Sequence, residues 1–127
     1  MTPIQLEPAA FEALVADALD ALPERFTEML DNVDIVVEQW PDRGTLGLAG
    51  VRSPYALLGF YHGVPKTVRT HAYGSVAPDK ISIYQRPIEA QCDTFEALRE
   101  MVGRVVRHEI AHHFGIDDDR LRDIGAY

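Results

Sequence analysis

Apolar residues near the start of the chain recur at helical spacing. Phe11, Leu14, Val15, Ala18, Leu19 and Leu22 form one stripe at i, i+3, i+4, i+7, i+8 and i+11, and Pro8 suits the first helical position. Pro23 breaks that stripe and can open a second short helix through Leu30, with Phe26 and Leu30 on one side. Asp34–Trp40 is β-branched and aromatic, which predicts a strand closed by Pro41. A second strand is predicted over Leu57–His62, ended by Gly63 and Pro65. In Lys80–Arg86, Ile81, Ile83 and Gln85 alternate with Ser82, Tyr84 and Arg86, the pattern of a half-buried strand stopped by Pro87. The longest element is a helix from about Thr94 to Phe114. Phe95, Leu98, Val102 and Val105 lie on one of its faces, and Glu109 and His112 continue the same rows. Asp93 with Glu96 three residues on reads as a capping box, and Gly115 stands where a helix ends in a left-handed residue.

The connecting segments are polar. Gly44, Gly47 and Gly50 are not spaced as in a phosphate-binding loop, and no Lys-Ser/Thr pair follows them, so a flexible loop is expected. Lys66–Lys80 reads as a long loop, and Arg120–Tyr127 as one or two further turns. Helices at both ends and about three strands between them predict an α+β fold, with residues 1–127 forming one domain and no internal repeat.

Composition narrows the function classes. The 127 residues are 46% hydrophobic and 25% charged, a globular balance. Twenty acidic against twelve basic residues give a net charge of −8, which argues against nucleic-acid binding. The single Cys92 excludes an intramolecular disulfide framework and a multi-cysteine zinc finger. No apolar run approaches the length of a membrane span, and the first basic residue is Arg25, so neither a membrane partner nor a secretory signal is expected. The expected location is the cytoplasm.

The chemistry lies at the end of the long helix. His108-Glu109-Ile110-Ala111-His112-His113-Phe114-Gly115-Ile116-Asp117-Asp118 contains HExxH followed by xxGxxD. Residues four apart share a helix face, so the imidazoles of His108 and His112 can converge on one metal ion. Glu109, one step from His108, projects beside the metal, where a general base belongs. Gly115 can turn the chain back through a positive φ, and by count Asp118 is then the third ligand. HExxH alone arises by chance in about one such sequence in a hundred, and with Gly and Asp at fixed offsets in about one in ten thousand. Two imidazoles and a carboxylate also match a non-haem iron set, but Glu at the second position of the motif favours zinc. A zinc ion held by three protein ligands keeps a fourth position for water, whose proton Glu109 can take during attack on a peptide carbonyl.

With these residues in view, the chain resembles the minimal zincin-like metallopeptidases, short bacterial proteins that carry HExxHxxGxxD near the C-terminus. Leu57-Leu58-Gly59-Phe60-Tyr61-His62-Gly63-Val64-Pro65 and Pro78-Asp79-Lys80-Ile81-Ser82-Ile83-Tyr84 resemble the two strand regions upstream of that family's metal helix. The resemblance implies a zincin-like α+β fold and a Zn2+ site at His108, His112 and Asp118. It also implies Glu109 as catalytic acid/base and a peptide or protein as substrate. Larger HExxHxxGxxH peptidases have a third His where this chain has Asp118. Met occurs only at 1, 29 and 101, and nine residues follow Asp118. The expectation is therefore a centre with no Met beneath the metal from the C-terminal side and no further subdomain walling a cleft.

The remaining polar residues have more ordinary readings. His62, His71, Tyr84, Arg86 and Tyr127 are unranked candidates for an extra oxyanion donor, each more simply a surface or packing residue. His113 is rotated by about 100° from His112 and reads as a surface residue or a neighbour of the ligands. One of Asp117, Asp118 and Asp119 can cap the final segment while another ligates. Cys92 reads as structural, and Arg99, Arg104 and Arg107 as a solvated helix face. The leading reading is a zinc-dependent peptidase. The alternative is a non-catalytic or weakly active zinc protein that recognises peptides, and a metal-dependent ribonuclease fits the charge less well. The oligomeric state is not legible.

Overall fold

In the computed structural model, residues 4–27, 33–63 and 79–113 are described. Helix α1 spans Pro8–Asp20, with Pro8 in the first turn and the extended Glu7 before it. Its apolar stripe does what the spacing predicts. Phe11, Leu14 and Val15 are buried, and Ala18, Leu19 and Leu22 pack at the margin of the same core. Helix α2, Glu24–Thr27, starts after Pro23 as expected; its predicted extension to Leu30 lies outside the described residues.

Three strands, β1 (Val33–Glu38), β2 (Gly59–His62) and β3 (Asp79–Tyr84), form one sheet in the order β1-β3-β2. β1 runs parallel to β3, with Ile35 opposite Ile81, and β2 runs antiparallel to it, with Gly59 opposite Ile83. The central position of β3 explains a difference from the sequence reading. The strand is not half-buried: Ile81, Ser82, Ile83 and Tyr84 are all buried, because both of its faces are covered. Nor does it continue to Arg86. It ends at Tyr84, and α4 (Gln85–Glu89) follows with Pro87 in its first turn, where no backbone N–H is required.

The glycine-rich stretch is likewise a helix rather than a loop: α3 spans Arg43–Ala49. Its two ends outweigh the low helix propensity of Gly44 and Gly47. The Thr45 amide donates to Asp42 Oδ1 at 2.7 Å, and Gly50 closes the helix in the left-handed region at φ 73°.

The metal-motif helix, α5, spans Phe95–His113. Its cap is Thr94 and not Asp93: the Ala97 amide donates to Thr94 Oγ1 at 3.1 Å. Starting at Phe95 leaves that ring 49% exposed, off the core face, whereas Leu98, Val102, Val105, Val106 and Ile110 are buried. They meet α1 and the Ile81/Ile83 face of the sheet, together with Ile88 and Cys92, to make the hydrophobic core. At about 1.5–3 kcal/mol for each large aliphatic side chain buried, this layer is the main support of α5. Among the described residues no helix is long and apolar enough to cross a membrane. The architecture is α+β, as the sequence indicates.

Candidate metal centre

The last two turns of α5 bring His108, Glu109 and His112 together. One ligand atom from each lies within 4.8 Å of the others. The two imidazoles stack edge to face with centroids 4.4 Å apart, as i, i+4 neighbours must when both turn to one side. Both rings are partly exposed, whereas Glu109 is only 6% exposed and holds its Oε1 3.5 Å from His112 Nδ1. Two imidazole nitrogens beside a carboxylate are a donor set that suits a zinc ion, and their convergence without help from another element fits a metal. Asp118, the expected third ligand, lies outside the described residues, as do Gly115, Asp117, Asp119, His71 and Tyr127.

Glu109 is buried because β2 closes over it. A Cβ at Gly59 would stand 3.0 Å from Glu109 Cγ and 2.9 Å from Val105 Cγ1, so only glycine lets the strand pass this close to the helix. Gly59 was not legible as a functional position. The available signal was a glycine inside a predicted strand, which often marks the close approach of another chain segment.

His113 is the main correction. It is not at the surface but fully buried, with Nδ1 3.0 Å from Asp79 Oδ2. The Tyr61 hydroxyl donates to the same oxygen at 2.7 Å, and the Tyr61 and His113 rings meet edge to face at 5.6 Å. Gly63, at φ 155°, makes room for this group, since a Cβ there would fall 2.5 Å from Asp79 Oδ1. The end of α5 is thereby tied to β2 and β3 within one residue of His112. Nothing in the spacing of Tyr61, Asp79 and His113 announces this contact, which depends on strand pairing.

The other predicted donors point elsewhere. Gly59 and Tyr61 face α5, so strand alternation sends Phe60 and His62 to the opposite face. There His62 Nε2 lies 3.3 Å from Ser82 Oγ, and Ser82 in turn donates to Glu38. Burial, aided by the Lys80 charge, holds the His62 imidazole below its ordinary range. Tyr84 lies on that same face, where burial pushes its phenol up. Arg86 is committed to the buried Glu89, at 2.8 Å, and to Gln39. Burial also pushes the Cys92 thiol up, in line with a structural cysteine.

No curated protein matches the chain. The sequence model of the zincin-like metallopeptidases matches residues 30–126, more than half of the chain and the whole of the metal motif. Such a family implies a metal centre, typically zinc, at the paired histidines. By that match, and with the His-Glu-His group on α5, the chain belongs to the zincin-like metallopeptidase family.

Proposed function

We propose that the protein is a zinc-dependent peptidase in which His108, His112 and Asp118 hold the metal and Glu109 is the general base. The observation that carries this reading is the position of Glu109, buried against β2 yet within 4.8 Å of both ligand imidazoles. Metal binding alone gives no reason to bury a carboxylate there, whereas a general base must stand beside the metal within reach of its water. Zinc at this centre supplies the Lewis acidity that activates a water and stabilises the oxyanion. Glu109 takes the proton of the attacking water and passes it to the departing amine as the peptide C–N bond breaks. Gly59 keeps that carboxylate in place, and the partly exposed imidazoles leave the substrate side open.

Mass spectrometry of a mixed peptide library incubated with zinc-loaded and with chelated protein tests the reading. Cleavage products are expected only with zinc. A zinc-loaded protein that binds peptides and cuts none would instead establish the non-catalytic alternative. Asp118→Ala should weaken zinc binding more than Asp117→Ala or Asp119→Ala, and the reverse order would show the ligand register to be wrong.

A further inference from the structure

Beside the paired histidines lies a recess of about 360 Å³ with Leu57, Leu58 and Gly59 on one wall and Met101 and Val105 on the other. His108 and Glu109 are among its lining residues, so whatever fills it lies beside a candidate metal ligand and the proposed base. Its rim carries Arg104, one turn before His108 on the same helix face. Among the described residues Arg104 makes no ion pair and its guanidinium is exposed, in contrast to Arg86, which is held by Glu89. Among the described residues the only other charged residue lining the recess is Glu109.

We infer that this recess is the specificity subsite of the enzyme and that it takes a glutamate side chain flanking the scissile bond. The inference rests on the peptidase reading. Apolar walls accommodate the two methylenes of glutamate, and Met101 adapts to their path. At the rim the guanidinium of Arg104 meets the carboxylate, for which its planar fork is suited. A lysine in the same place would meet the Arg104 charge. Arg104 is a cation on a molecule of net charge −8, so the selectivity is a property of this one rim residue and not of the molecule's field.

Binding separates this subsite from the chemistry. Fluorescein-labelled hexapeptides with Glu, Ala or Lys at each position in turn are titrated against the zinc-loaded full chain carrying Glu109→Gln. At one position the Glu peptide should bind about tenfold tighter than the Lys peptide, the size expected when an exposed attraction is replaced by repulsion. Arg104→Glu in the same background should reverse that order with zinc content unchanged. With wild type, the library should be cut next to glutamate. Equal affinities at every position, no binding, or a preference that survives Arg104→Glu would overturn the subsite. Cleavage with no glutamate preference would overturn the subsite and leave the peptidase reading standing. Glutamate-selective binding without any cleavage by wild type would do the opposite.

Discussion

His112 and His113 are adjacent in sequence and have different physical roles. His112 turns to the open side of α5, a third of its side chain exposed, and shares a face with His108. His113, one helical step further round, has no exposed surface and is held by Asp79 beneath Tyr61. The open side carries the ring nitrogens that converge with the Glu109 carboxylate. The sheet-facing side fixes the helix on which that ligand must be held. A rotation of about 100° therefore separates a group that can bind from a group that positions.

The contrast predicts different failures. His112→Ala should abolish zinc binding while changing the stability of the metal-free protein by no more than about 1 kcal/mol. His113→Ala should do the reverse. It leaves a cavity and removes a partner of the buried Asp79, a loss of about 2–4 kcal/mol, while the folded protein still takes up zinc. Urea titration with parallel elemental analysis checks both. Loss of zinc from a fully stable His113→Ala protein would erase the distinction.

Next in size is Gly59→Ala. The added methyl group overlaps Val105 and Glu109 and should destabilise by about 1–3 kcal/mol. Because it pushes on Glu109, it should also lower turnover more than it weakens zinc binding. Tyr61→Phe removes one hydrogen bond to Asp79 and should destabilise by about 1 kcal/mol without altering metal content. The smallest effect has the opposite sign. Gly47 sits within α3 with open space around it, and Gly47→Ala should stabilise by about 0.5–1 kcal/mol in the same titration.

Those two glycines also show what the sequence carries. Periodicity located α1 and α5 because their apolar rows face one core, and HExxH placed two imidazoles and a carboxylate on a single helix face. These are local patterns, readable one element at a time. Gly44, Gly47 and Gly50 read as a loop because the decisive signals for α3 were its caps, Asp42 at one end and Gly50 at the other. The burial of Ser82 and Tyr84 could not be read from β3 alone, since it follows from strand order. The same holds for the closeness of Gly59 to Glu109 and for the tie between Asp79 and His113. Both are contacts between elements distant in sequence, invisible until the strands are paired.

On the proposed reading, Glu109 does chemistry beside the metal instead of holding it. The most direct test is Glu109→Gln, which preserves side-chain size and removes basicity. Zinc content and peptide hydrolysis are measured on the same purified preparation. About one zinc per chain is expected, the same as for wild type, with hydrolysis reduced by about 10²–10⁴-fold. Zinc lost together with activity would make Glu109 a ligand, and zinc retained with full activity would show that the base lies elsewhere.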